Sequence, residues 1–275
     1  MITRPQAVDL LARHGATPSR VLGQNFVVDA NTVRRIARLA GVGPGHHVVE
    51  VGAGLGSLTL ALVATGAEVT AVEVDRRLLA ALREVMTGTD VRIVEGDAMT
   101  LDWAALLARA SRWDLVANLP YNVATPLVLD LLGSAPTITT MVVMVQREVG
   151  ERLAAAPGGP GCGIPSVRVA YWATAELLGR VPASVFLPRP RIESVLVRIV
   201  RRDRPAVEAD PDRLFALVRA GFGQRRKMLR GALGGLVGPG VFAAAAVRPE
   251  ARAQELTIQD WGRLAEAAAA SGPER

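Results

Sequence analysis

One stretch limits what this chain can fold into more than any other: His47-Val48-Val49-Glu50-Val51-Gly52-Ala53-Gly54-Leu55-Gly56-Ser57-Leu58-Thr59. A short apolar run stops in three glycines at alternate positions, and a helical pattern follows. The run reads as a buried parallel strand, the glycines as a tight turn and the remainder as the opening of a helix. Glycine there lets the backbone turn sharply and lets a ligand lie against it with no Cβ in the way. The spacing is Gly-x-Gly-x-Gly, whereas a pyrophosphate cradle needs Gly-x-Gly-x-x-Gly. The fitting guest is a nucleoside without a diphosphate, a description that S-adenosylmethionine meets. An ordinary strand-to-helix turn has the same glycines, so the rest of the chain must decide.

Composition narrows the partner. The chain has 275 residues, half of them hydrophobic, enough for one large domain and a small appendage. No apolar run is long and uncharged enough to span a bilayer, and Met1 to Gly15 has no signal-peptide core; a cytoplasmic protein without membrane contact is expected. Cys162 is the single cysteine, and His14, His46 and His47 are the only histidines, so neither a disulfide nor a metal site is expected. The net charge of +6 and the pI near 10.7 favour a polyanion, nucleic acid first. Lys227 is the only lysine, and an arginine- and alanine-rich composition is also what a GC-rich genome produces.

Taken in order, Thr3 to His14 reads as a helix with Thr3 as cap, Val8, Leu10 and Leu11 on its apolar side, and Gly15 as its stop. Gln24 and Asn25 then stand inside an apolar segment, either as a satisfied buried turn or as a lid whose amides bind a ligand. Asp29 caps a helix that carries Val33, Ile36 and Ala40 on one face and ends at Gly41. From Val48 strand and helix alternate, as in a doubly wound α/β sheet. Strands are expected at 48–51, 68–73, 91–95, 114–118 and 138–145. Ligands in such sheets collect at the carboxyl ends of the strands, near the topological switch point. Gly52, Glu73, Asp97 and Asn118 therefore fall along one rim. Glu73 follows Gly52 at the interval suited to a carboxylate on ribose hydroxyls, and Asp97 is placed to accept from an adenine amine.

Asn118-Leu119-Pro120-Tyr121 is the sharpest motif. Pro120 stops the strand and turns the backbone. The Asn118 amide oxygen and the Leu119 carbonyl can accept from one planar amino group while Tyr121 stacks on the ring that bears it. The lone pair of an exocyclic amine is delocalised into its ring. Two acceptors draw the amine toward tetrahedral geometry and free that pair for in-line attack on a sulfonium methyl. Positioning and electrostatics then supply the catalysis without a strong base.

Seven segments appear in a shared order: Gly23-Gln24-Asn25-Phe26, Glu50-Val51-Gly52-Ala53-Gly54-Leu55-Gly56, Val72-Glu73-Val74-Asp75, Glu95-Gly96-Asp97-Ala98, Asn118-Leu119-Pro120-Tyr121-Asn122, Met144-Val145-Gln146-Arg147-Glu148-Val149 and Phe186-Leu187-Pro188-Arg189-Pro190. Together, from about Val21 to Arg230, they resemble the ribosomal RNA adenine N6-dimethyltransferases, most of all the bacterial small-subunit type. The glycine motif is generic to methyltransferases; the Asn-Leu-Pro-Tyr motif with the Gln-Asn-Phe lid is much more specific. The resemblance implies a Rossmann-like domain with a seven-stranded sheet over residues 1–203, with a lid and helices over 1–45, and a small all-helical RNA-contacting domain over 204–275. It also implies dimethylation of two adjacent adenines in a hairpin loop near the 3′ end of small-subunit ribosomal RNA, on the RNA or the assembled subunit, by a monomer. By motif match, Asn25, Val27, Gly52, Gly54, Glu73, Asp97, Ala98 and Asn118 hold S-adenosylmethionine, leaving S-adenosylhomocysteine as product. Asn118, Leu119, Pro120 and Tyr121 hold the target adenine, with Phe186 as the second ring of an aromatic clamp. The chain departs from the family pattern at Val27 (usually leucine), Ala53 (usually proline) and Cys162-Gly163-Ile164-Pro165, where a tyrosine is missing and a proline is added.

In the second half, Gln146 to Leu153 reads as a helix carrying Arg147 and Arg152, either as a solvated face or as phosphate contacts. Residues 156–163 read as a flexible loop, and Val167–Ala173 and Ser194–Val200 as the last two strands. Arg201 to Pro205 reads as a linker, Asp210-Pro211 as a helix start, and 257–270 as a capped, alanine-rich helix. Arg225, Arg226, Lys227 and Arg230 form the densest basic cluster, which phosphate binding would relieve. Other functions stay open beside this one: a ribosome-assembly factor with little turnover, a resistance-type large-subunit methyltransferase, or an amine methyltransferase acting on DNA or protein.

Overall fold

The structure is a computed structural model that describes residues 1–19 and 21–271. Among the described residues nine strands occur in chain order: β1 (Phe26–Val27), β2 (His47–Val51), β3 (Glu68–Glu73), β4 (Arg92–Glu95), β5 (Trp113–Asn118), β6 (Ile138–Gln146), β7 (Ala173–Val181), β8 (Phe186–Leu187) and β9 (Ser194–Arg201). Seven of them form one sheet in the order β4-β3-β2-β5-β6-β9-β7, and β1 and β8 form a separate antiparallel pair. Strands β2 to β6 run parallel and β9 runs antiparallel to β6. From central β2 the chain moves outward to β3 and β4 and returns to β5 on the other side of β2. The switch point thus lies between β2 and β5, with Gly52 and Asn118 just past or at the strand ends.

The sheet is covered on both faces, which is why β6 reads as an unbroken apolar run: Met141 to Val145 are all buried. On one face Val33, Ile36, Leu58 and Leu62 from two helices pack with Val48, Val116, Val142 and Leu196. Truncating a fully buried residue such as Leu62 to alanine costs about 2–5 kcal/mol. The helix Ala30–Ala40 starts where Asp29 accepts from the Thr32 backbone N–H at 2.7 Å and stops at Gly41, as its sequence predicts. In the helix Arg4–Arg13 the buried stripe is Ala7, Leu10 and Leu11; Val8, expected on the apolar side, falls off that i, i+3, i+4 stripe and is exposed.

By their contacts the residues form two compact units: Met1–Gly150 with Glu176–Arg201, and Glu151–Ala175 with Arg202–Arg275. The second unit therefore recruits a segment from the middle of the chain, which a single break after residue 203 does not anticipate. The segment contributes a helix, Ile164–Trp172, where the sequence reading places a strand. The alternating Val167, Val169 and Tyr171 suggested a strand, yet all three are buried on a helix that opens at Gly163 with Pro165 in its first turn. The Ser166 hydroxyl accepts from the Gly163 N–H at 3.0 Å and donates to the Arg152 carbonyl at 2.7 Å. Pro165, the departure in this loop, is thus a helix-start residue. Tyr171 donates to the Ala209 carbonyl at 2.8 Å and packs with Leu214, Phe215 and Val218 in the core of this unit, which also buries Cys162 and Trp261. Helices Pro211–Gly223 and Ile258–Ala270 begin where Asp210 and Thr257 cap them.

Arg201, expected to open a linker, is instead the last residue of β9. Its guanidinium donates to the carbonyls of Leu131, Leu132, Ala135 and Ile138 at 2.9–3.2 Å, which closes the end of the helix Ala124–Ser134.

Candidate active site

The glycine turn forms the floor of the site. Gly52, Gly54 and Gly56 have φ of +72°, +57° and +85°, the left-handed region that side chains rarely adopt. At Gly54 an added Cβ would lie 3.0 Å from the Phe26 ring, and its N–H donates to Glu73 Oε2 at 2.7 Å. Glu73 ends β3 beside the turn, and its Oε1 accepts from the N–H groups of Val74 (3.0 Å) and Asp75 (2.9 Å). Three of its roughly four acceptor positions are thus filled by backbone, which holds the carboxylate and leaves about one for a ligand hydroxyl. Burial pushes the Glu73 carboxyl up, and the three backbone bonds oppose that shift.

A cavity above the turn is lined by Asn25, Val27, Gly52, Gly54, Glu73, Asn118, Leu119, Pro120 and Tyr121 among others, so most of the residues matched by motif converge there. Asp97 and Ala98 are not in its lining. They follow β4, where the Gly96 N–H donates to the Glu73 carbonyl at 3.0 Å, which keeps them on the same rim. Asp97 is exposed and caps its own turn by accepting from the Met99 N–H at 2.9 Å.

The Asn118 side-chain N–H donates to the Asn25 backbone carbonyl at 2.9 Å. That bond fixes the amide so that its oxygen remains an acceptor. The Leu119 N–H is tied to the Met144 carbonyl at 3.1 Å, while the Leu119 carbonyl takes no hydrogen bond among the described residues. Tyr121 Oη lies 3.0 Å from the Ser194 hydroxyl, and Ser194 is fully buried. Desolvation raises the Tyr121 phenol, so it stays neutral at physiological pH and its ring is anchored at one end.

The lid divides its two amides. Gln24 is internally satisfied: its oxygen accepts from the Ser19 N–H at 2.8 Å and its nitrogen donates to Asp75 Oδ2 at 2.9 Å. Arg77 hydrogen bonds, joined by Gln24, hold the Asp75 carboxyl down at about 2, so this acid both caps a helix and anchors the lid. Asn25 donates only to the Gly23 carbonyl, at 3.0 Å, and its side-chain oxygen takes no bond among the described residues.

Phe186 stands apart from the other motif residues. It lies in β8, paired with β1, and is fully buried with Val27, Val33 and Leu196, outside the lining of the cavity. The sequence reading passed over Glu50. Its side chain is 2% exposed and lines the cavity, and Oε2 has no hydrogen-bond partner among the described residues. Desolvation pushes its carboxyl up to about 8. Ser57, another cavity residue, likewise holds a buried hydroxyl without a partner among the described residues. Orphaned polar atoms facing a cavity point to a ligand that completes them. A carboxylate there complements an ammonium group, and the one acceptor position left on Glu73 complements a hydroxyl; S-adenosylmethionine carries both.

The basic residues differ among themselves. Arg147 bonds to Glu193 at 3.5 Å, and Arg152 lies in the second unit, with its backbone carbonyl bonded to Ser166. Arg225 donates to the Cys162 carbonyl at 3.4 Å and stands over the Phe222 ring, and Arg230 pairs with Glu250 at 3.5 Å. Arg226 and Lys227 are exposed, and their side chains bond to nothing among the described residues.

The model of the family "Ribosomal RNA adenine dimethylase" matches residues 17–270. The chain belongs to the ribosomal RNA adenine dimethylase family. It is 47% identical to the ribosomal RNA small subunit methyltransferase A of Cutibacterium acnes over 94% of this chain and 91% of that one. It is 42% identical to the protein of the same name from Moorella thermoacetica, over 95% and 96%. Among solved structures, the 23S rRNA methyltransferase ErmE superposes with a TM-score of 0.68 at 25% identity, over 89% of this chain and 99% of that one. A dimethyladenosine transferase from Plasmodium falciparum superposes with a TM-score of 0.72 at 22% identity, over 86% and 94%, and shares the fold. In this dimethylase the Rossmann-like sheet carries the site and the second unit is helical.

Proposed function

We infer that the chain dimethylates N6 of adenosines in small-subunit ribosomal RNA with S-adenosylmethionine as methyl donor. The identity to small-subunit enzymes, 47% against 25% for the large-subunit enzyme, favours the small subunit. The finer reading is that the targets are two adjacent adenosines in the 3′-terminal hairpin loop, that the substrate is the assembled or assembling subunit, and that the enzyme acts as a cytoplasmic monomer. No helix among the described residues is long and apolar enough to cross a membrane.

The observation that carries the reading is the acceptor pair at Asn118 and Leu119, with the Asn118 amide turned by the Asn25 carbonyl so that its oxygen stays available. When bound, the cofactor supplies an electrophilic sulfonium methyl. Asn25, Gly52, Gly54, Glu73 and Asn118 would hold it, with Asp97 and Ala98 at the same rim. Glu50, ionised, would face its ammonium group. The Asn118 oxygen and the Leu119 carbonyl accept from the target amine and localise its lone pair, and the Tyr121 ring, fixed through Ser194, stacks on the base. A base that reaches this cavity must leave its stack, which a loop nucleotide does at low cost. After transfer a single proton leaves the amine, and no strong base is needed, since the methylated amine is acidic in its cationic form.

The test incubates small ribosomal subunits that lack these methyl groups with labelled S-adenosylmethionine, then digests the RNA and maps the modified nucleosides. Dimethyladenosine at two adjacent positions of the 3′-terminal loop is expected. Label confined to large-subunit RNA would overturn the substrate assignment; binding without transfer would make the chain an assembly factor.

A further inference from the structure

A second cavity opens beside the first. It contains about 530 Å3 and is walled by Val21, Tyr121, Asn122, Pro188, Arg189 and Arg191, with the lid residues Gly23, Gln24 and Asn25 common to both cavities. Tyr121 and Asn25 thus stand on the partition, and a base stacked on Tyr121 has its neighbour in the chain at this outer opening. The partition is closely packed at Gly23. Gly23 has φ +63°, an added Cβ there would lie 3.3 Å from Asn122 Oδ1, and the Asn122 nitrogen donates to the Val21 carbonyl at 3.4 Å.

The chemistry of the outer cavity is one-sided. Arg189 and Arg191 are exposed and make no ion pair or hydrogen bond among the described residues. The nearest acid in sequence, Glu193, is engaged by Arg147. Two uncompensated guanidinium groups lie two residues apart on a backbone stiffened by Pro190, and planar guanidinium groups suit the phosphates of a nucleotide chain. Beside the amides of Gln24, Asn25 and Asn122, the wall has an apolar part: Val21 is 84% exposed, and Pro188 and Pro190 offer flat faces without a donor. Solvent-facing apolar surface beside unpaired cations fits a nucleotide, with base and ribose on the valine and prolines and phosphates on the arginines.

We propose that this outer cavity is a binding site for the nucleotide adjacent to the target adenosine, with Arg189 and Arg191 holding its flanking phosphates. The site rests on the reading of the inner cavity as the target-base pocket. It would hold one of two consecutive nucleotides while the other reacts. The arginines contact the RNA backbone and touch neither the reacting amine nor the cofactor, so they govern substrate binding and not the chemical step.

The test measures steady-state methyl transfer to small ribosomal subunits lacking the methyl groups, at several salt concentrations, for the wild type, Arg189→Ala/Arg191→Ala, Arg189→Lys/Arg191→Lys and Val21→Asp. The alanine pair should raise KM for subunits about tenfold, leave kcat within about twofold and lower the slope of log kcat/KM against log salt by about 1.4, two phosphates at ~0.7 each. The lysine pair should recover most of KM, and Val21→Asp should raise KM by placing an anion in the cavity. Affinity for S-adenosylhomocysteine should be unchanged in all three variants. An active wild type whose KM and salt slope are unchanged in the alanine pair overturns the outer site while sparing the target-base reading. A loss of kcat alone also overturns it. A wild type that transfers no methyl to these subunits overturns the target-base reading, and the outer site with it.

Discussion

At the scale of single residues, the site sets apart polar groups that are already satisfied from those that are waiting. Glu73, Gln24 and Asp75 have partners within the chain; Glu50 Oε2, the Ser57 hydroxyl and the side-chain oxygen of Asn25 take none among the described residues. Glu50 carries a consequence for pH. Its carboxyl ionises at the ordinary value near 4.5 in the unfolded chain and near 8 in the folded one. Between those values the unfolded chain binds fewer protons, so stability falls as pH rises, by about 1.4 kcal/mol per unit at most. The expected result is a cofactor-free protein whose melting temperature declines from pH 5 to pH 8, and a Glu50→Gln variant with a flatter profile and a higher melting temperature at pH 8. S-adenosylhomocysteine should raise the wild-type melting temperature at pH 8 more than it raises that of the variant. Calorimetry across the pH range checks both. Glu73, close enough to raise Glu50 further, remains in the variant and gives the residual slope. Glu50 was on view in the sequence, but its role was not: an acid beside a glycine turn looks the same whether its oxygen is bonded or bare, and only the packed structure separates the two.

At the scale of elements, what could be read in advance was what the backbone itself demands. Three glycines at alternate positions require a turn, and all three have positive φ. Asp29 and Thr257 stand where caps are needed and serve as caps. The misread elements are those in which long-range packing overrides local preference. The alternating Val167, Val169 and Tyr171 suit a strand, but Val167 and Tyr171 fill the core of the helical unit and the segment is helical. Phe186 is buried in the β8–β1 pair, a placement that no local sequence signal reveals. Arg201 looks like the start of a linker because nothing local reveals that four carbonyls meet at its guanidinium. Arg201→Ala would strand those carbonyls and should lower stability by about 2–4 kcal/mol with no change in cofactor affinity, read by chemical denaturation and by binding of S-adenosylhomocysteine. Gly54→Ala should affect both. It places a Cβ against Phe26 in a backbone conformation alanine resists, at a cost of about 1–3 kcal/mol, and it shifts the turn on which the cofactor lies.

At the scale of the whole molecule, the net charge of +6 divides between arginines that hold the fold and cations left free. Arg201, Arg225 and Arg77 belong mainly to the first kind; Arg226 and Lys227, with no side-chain bonds among the described residues, belong to the second. Sequence composition cannot make that division, because both kinds count the same. Arg226→Ala/Lys227→Ala should leave the melting temperature unchanged and reduce the salt dependence of small-subunit binding by about 1.4–1.8 in log-log slope. Filter binding at several salt concentrations measures it, and an unchanged slope would remove these two residues from the RNA contact. The family is recognisable from scattered motifs because the glycine turn after β2 and Asn118 at the end of β5 lie on neighbouring strands at the switch point, and Gly23 to Phe26, at the separate β1–β8 pair, line the same cavity.

The measurement that tests the account most directly is a single-turnover comparison of wild type and Asn118→Ala, with small ribosomal subunits lacking the methyl groups and saturating S-adenosylmethionine. If the Asn118 oxygen localises the lone pair of the target amine, the variant should lose about 10²–10³ in the rate of methyl transfer while still binding the subunit with near wild-type affinity. A variant that transfers methyl groups within about threefold of the wild-type rate would contradict the account and leave the acceptor pair without a catalytic role.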